Sequence, residues 1–112
     1  MKYYYALYMS KNLETKKEEI LRKLEDGRLQ YEKYVISLSK GEQNHLEIFN
    51  SVLLIQKTIT KDNLFVVGIA SGYGEALELV EKITQEVYDS TKGTDIRGYI
   101  LQRQKEYEEG NV

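Results

Sequence analysis

The residues best placed to do chemistry are those of "SGYGE", Ser71 to Glu75. They follow an apolar run, Leu64 to Ala70, and open an amphipathic stretch. A strand-to-helix turn of this kind can aim backbone amides at an anion, helped by the helix dipole. A second loop, "SKN" at Ser10 to Asn12, follows the first strand-like segment. In a doubly wound sheet with that strand at its centre, the two loops meet beyond the carboxyl ends of the strands. The candidate ligand-binding set is therefore Lys11, Asn12, Ser71, Gly72, Tyr73 and Gly74, with Lys11 supplying the charge that opposes an anion. The motif matches neither the dinucleotide nor the P-loop glycine fingerprint. Glu75 at the helix start would also repel a phosphate. A hinge, in which the glycines only permit the tight turn, is the stronger reading.

Few other residues suit catalysis or metal binding. His45 is the one imidazole, and the chain has no cysteine. An isolated histidine beside a helix cap reads as an exposed loop residue rather than a general base. Glu14, Glu18, Glu19, Glu25 and Asp26 are interleaved with lysines, the pattern of a solvated helix face and not of a metal site. Ten tyrosines against two phenylalanines and no tryptophan raise the idea of base stacking on single-stranded nucleic acid. Tyr3, Tyr4, Tyr5 and Tyr8 occupy both faces of one strand, however, without a basic groove. Half-buried packing with a wet hydroxyl end fits them better.

The elements that would position these residues follow from periodicity. Tyr3 to Met9 reads as a strand. Leu13, Ile20, Leu21 and Leu24 recur at helical spacing, with a capping box at Thr15 and Glu18 and a glycine stop at Gly27. Tyr31 to Ser39 is a second strand, followed by the loop "KGEQN". From Asn44 to Ile59, Ile48, Val52, Ile55 and Ile59 fall on one helical face, and Asn44 with Glu47 forms a capping pair, so a buried helix is predicted. The competing reading is a strand forming a hairpin with Leu64 to Ala70, turning at "KDN". Leu64 to Ala70 is a strand buried on both faces. Gly74 to Thr91 is a helix burying Ala76, Val80, Ile83 and Val87 and ending at Gly93. Asp95 to Leu101 is a last strand.

This alternation predicts a small three-layer α/β fold, βαβαβαβ, with a mostly parallel four-stranded sheet. The alternative is an α+β ferredoxin-like sandwich. Residues 1–101 form the domain, and 102–112 a polar tail or frayed helix. The net charge of −2 argues against tight duplex binding, which needs many basic contacts to phosphate. The N-terminus lacks a signal-peptide pattern, and no run approaches the roughly 18 apolar residues of a membrane span. Without cysteine, the composition fits a cytoplasmic chain. No cofactor or metal is expected. The reading is a non-catalytic interaction module whose partner is itself, as a homodimer, or another protein. A regulatory domain binding a small anionic ligand or nucleotide at the two loops is the alternative.

Overall fold

The computed structural model describes residues 1–39, 45–56 and 61–110. Strand β1 (Lys2–Met9) leads through a 3₁₀-helical turn (Lys11–Lys16) into helix α1 (Lys17–Glu25). Strands β2 (Lys33–Leu38) and β3 (Leu46–Asn50) follow, then the one-turn helix α2 (Val52–Ile55). Strand β4 (Phe65–Ser71), helix α3 (Tyr73–Thr91) and helix α4 (Ile96–Glu108) complete the chain.

The sheet is mixed, in the order β1-β4-β2-β3. Only β1 and β4 run parallel; β2 is antiparallel to both β4 and β3. The predicted mostly parallel βαβαβαβ connectivity is therefore corrected to a small α+β domain. The cause lies at residues 46–50. Leu46, Ile48 and Asn50 alternate with Glu47 and Phe49 in a strand paired with β2, Ile48 lying opposite Ile36. The chain turns helical only after Asn50, whose Oδ1 accepts the Val52 amide at 3.0 Å. Ser51 anchors the switch, its amide bonding to Lys33 O at 2.9 Å and its hydroxyl to Gln30 O at 3.3 Å. The predicted helix from Asn44 thus shrinks to four residues, Val52–Ile55. The strand's hairpin partner is β2, not β4. Asn44, Ile59 and the "KGEQN" loop through Asn44 lie outside the described residues.

The predicted strand from Asp95 to Leu101 is instead the first half of α4. Asp95 caps that helix, its Oδ1 accepting the Gly98 amide at 2.9 Å. Ile96, Ile100 and Gln104, spaced four apart, form its buried stripe. Residues 102–108 thus continue an ordered helix. At the end of α1, the Gly27 amide bonds Leu24 O and the Arg28 amide bonds Lys23 O. With Gly27 at φ +67°, this is a Schellman stop at the expected glycine. The Thr15–Glu18 capping box does not form, because α1 begins at Lys17 without a side-chain cap. The left-handed residue ending α3 is Lys92, not Gly93.

Helices cover both faces of the sheet, which separates the fold from the two-layer sandwich considered as its alternative. Leu13, Ile20 and Leu24 pack with Val35, Val66 and Ile69 on one face. Ala76, Leu79, Ile83, Val87, Ile96 and Ile100 pack with Ile36, Leu38, Val67 and Ala70 on the other. Residues 66–70 of β4 are all buried, as a strand sandwiched between two layers must be. Val80, predicted to be buried, is half-buried at the flank of α3.

Candidate functional site

The parallel pairing of β1 with β4 sets their carboxyl ends side by side, so the "SKN" and "SGYG" loops do meet. Ser10, itself buried, donates its amide to Ile69 O at 3.1 Å. Its hydroxyl accepts the Ser71 amide at 2.9 Å. The Gly72 amide donates to Glu32 O at 2.7 Å. Two of the amides that an anion would need are thereby engaged within the protein. Gly72 has φ 93° and ψ 157°, a conformation that is nearly glycine-only. Gly74 lies in the first turn of α3 with open space where a side chain would stand. Tyr73 is exposed, with its ring edge-on to Tyr34 at 5.8 Å between centroids. Lys11 and Asn12 are exposed at the start of the 3₁₀ turn. The first strand is an edge strand, not a central one, so this junction is not a crevice where strand order reverses. His45 is exposed, with Nε2 3.8 Å from a Glu47 carboxylate oxygen.

A denser constellation, not anticipated from the sequence, lies where β1 meets α3 and α4. Between Tyr3 and Tyr8, β1 advances five residues while its partner β4 advances two, Val66 to Gly68. Within this irregular stretch the Tyr5 amide turns away and donates to Gln104 Oε1 at 2.8 Å. Arg103, one residue earlier on α4, donates from Nε to Tyr4 Oη and from Nη2 to Tyr5 Oη, each at 2.9 Å. Its guanidinium lies 5.4 Å from the Tyr99 ring centre and 5.9 Å from that of Tyr5, within cation–π range. Tyr107 stacks on Tyr5 at 4.5 Å. On the α3 side, Glu86 Oε2 accepts hydrogen bonds from both Tyr8 and Tyr99. The tyrosine surplus thus has a structural use: phenols give one arginine and one glutamate neutral hydrogen-bond partners. The sequence signal was Arg103–Gln104 at helical spacing from Ile96 and Ile100, which the strand reading of Asp95 to Leu101 obscured.

Burial raises the pKa of the Tyr8 phenol far above its ordinary value, and its bond to the Glu86 carboxylate adds to the shift. Burial likewise raises Tyr4, opposed in part by Arg103. Burial and the Tyr3 bond to Glu25 raise Tyr3. Neutral phenols are what this arrangement needs, since an ionised Tyr8 would face Glu86.

A third feature is an apolar flank on α3. Tyr73, Leu77 and Tyr88 are 53%, 43% and 49% exposed. At 100° per residue they fall on one side of the helix with half-buried Val80, opposite the side that carries Glu86. The Tyr73–Tyr34 contact shows that this side faces β2. Beyond β2 lies β3, whose Leu46 and Ile48 are half-buried on the same sheet face.

No protein-family model, curated protein or solved structure matches this chain. Its geometry alone carries the functional reading.

Gly72→Ala is expected to cost roughly 1–3 kcal/mol by urea denaturation, because alanine cannot adopt its backbone conformation without strain. Gly74→Ala should be neutral or stabilising by up to about 1 kcal/mol, since it removes an exposed helical glycine. A loss at both positions would mean that Gly74 serves something other than the turn.

The raised phenols also set the alkaline limit. Above the ordinary phenol pKa of about 10, the unfolded chain releases protons that the fold retains, so stability falls as pH rises. Equilibrium unfolding from pH 8 to pH 11 should show this decline, and Tyr8→Phe should make it shallower. An unchanged slope in that variant would show that Tyr8 does not titrate differently in the fold.

Proposed function

We propose that this chain is a non-catalytic interaction module that pairs with a second copy through the outer flank of α3. The carrying observation is the row formed by Tyr73, Leu77 and Tyr88, exposed along one side of a single helix. It continues through half-buried Val80 toward Tyr34 and the Leu46 and Ile48 side chains of β3. Isolated exposed apolar residues need no explanation, but a row along one helix side that is rich in tyrosine has the composition of an interface core. From Tyr73 to Tyr88 the row is about 22 Å long at 1.5 Å per residue. A two-fold axis near Val80 would set Tyr73 of each copy against Tyr88 of the other, giving the closed isologous contact typical of homodimers.

The imidazole is exposed, with a Glu47 carboxylate oxygen 3.8 Å from Nε2. Among the described residues, no group of three metal-ligating side chains comes together. No helix among them is long and apolar enough to cross a membrane. The two loops remain a second place for an anion, though the Ser71 and Gly72 amides already donate within the protein.

Multi-angle light scattering over a range of concentrations should find a dimer that dissociates on dilution. Leu77→Asp should give a monomer with an unchanged circular dichroism spectrum, because Leu77 is exposed within one copy and a charge there is buried only in the pair. A wild-type chain that stays monomeric at high concentration contradicts the reading.

A further inference from the structure

A groove of about 640 Å³ runs between the end of α3, the turn into α4 and the outer side of α4. Ser90, Gly93, Asp95, Tyr99, Arg103 and Glu106 are among its lining residues. The volume falls in the range of small-molecule sites.

Two neighbouring side chains on its α4 wall carry opposite charges that do not pair. Arg103 and Glu106 stand three residues apart, neighbours on the helix surface. Among the described residues, neither makes an ion pair. The reason is visible in the packing. Tyr4 and Tyr5 accept two of the guanidinium's hydrogen bonds, and the Tyr5 and Tyr99 rings flank it. The arginine fork is thereby fixed with donors to spare, since a guanidinium has five N–H groups. Glu106 accepts one bond from Gln102 Nε2 at 3.0 Å, which leaves most of its acceptor capacity open.

We propose that this groove binds a small zwitterion of the α-amino-acid class, with its carboxylate on Arg103 and its ammonium toward Glu106. A guanidinium fork matches a carboxylate in a bidentate manner. A phosphate would fit the fork equally well. However, its second negative charge would meet Glu106, one turn further along α4. An ammonium relieves that repulsion. Tyr99 and the aliphatic parts of the groove wall provide cover for a short apolar side chain. Because the tyrosines hold Arg103 in place before any ligand arrives, little ordering is left to oppose binding.

The test is a two-dimensional amide NMR titration with L-leucine, 4-methylpentanoate, 3-methylbutylamine and inorganic phosphate. These probes carry both charges, the carboxylate alone, the ammonium alone and a multiply charged anion. L-leucine should shift the Gly93, Gly98 and Arg103 signals and bind at least about tenfold tighter than either single-charge analogue. In Glu106→Gln, the affinity for L-leucine should fall to that for 4-methylpentanoate, while 4-methylpentanoate itself binds at least as tightly as before. The same spectra report whether the variant remains folded. The proposal is overturned if L-leucine binds no tighter than 4-methylpentanoate, if phosphate binds tighter than L-leucine, or if no probe moves these signals.

Discussion

Val66, Val67, Ile69 and Ala70 have essentially no solvent exposure on either face of β4, and this double burial organises the molecule. A strand apolar on both sides needs a layer above and a layer below it. Helix α1 with the 3₁₀ turn supplies one layer, and α3 with α4 supplies the other. The flanking strands follow from the same demand. β4 takes β1 as its parallel neighbour and β2 as its antiparallel one, leaving β1 and β3 at the edges.

The two edges are treated differently. At β1, α4 closes over the strand with polar groups: Gln104 takes the Tyr5 amide, Arg103 holds two phenols, and Glu108 pairs with Lys2 at 2.8 Å. With the Tyr5 amide taken and helix α4 alongside, the row of amides that an edge strand offers to another chain is interrupted here. At β3 the sheet face carries half-buried Leu46 and Ile48, and the apolar flank of α3 runs toward them. The asymmetry leaves one side of this small fold covered by polar groups and the other with an apolar flank, the side through which association is proposed.

The parts legible in the sequence were those where one physical signal dominated. Leu64 to Ala70 could be read from its unbroken apolar run, and the end of α1 from Gly27. The strand-to-helix turn at Gly72 was equally clear, because only glycine suits that backbone. Residues 46–55 misled because β3 is a short edge strand with apolar residues on both faces, Leu46 and Ile48 on one and buried Phe49 on the other, which blurs its alternation and leaves a coincidental helical spacing. The overlooked signal was Asn50–Ser51, polar residues suited to a turn in the middle of the apolar stretch. Asp95 to Leu101 misled because Ile96, Tyr99 and Ile100 are good strand formers. Asp95 as a cap and the four-residue spacing of Ile96, Ile100 and Gln104 carried the correct reading. The tyrosine–arginine cluster was beyond local inference altogether, since it joins residues nearly the whole chain apart. Tyr4 and Arg103 are separated by 99 positions.

The central functional claim is that α3 meets α3 of a second copy. The chain has no native cysteine, so Lys82→Cys introduces a single exposed site for a spin label near the middle of that helix, on the side away from the Tyr73–Tyr88 row. Pulsed electron–electron resonance on the labelled protein measures the separation between two copies directly. The account predicts one narrow distance of roughly two to three helix diameters, which disappears on dilution with excess unlabelled chain. The absence of dipolar coupling at high concentration, or a distance too long for adjacent helices, would contradict it.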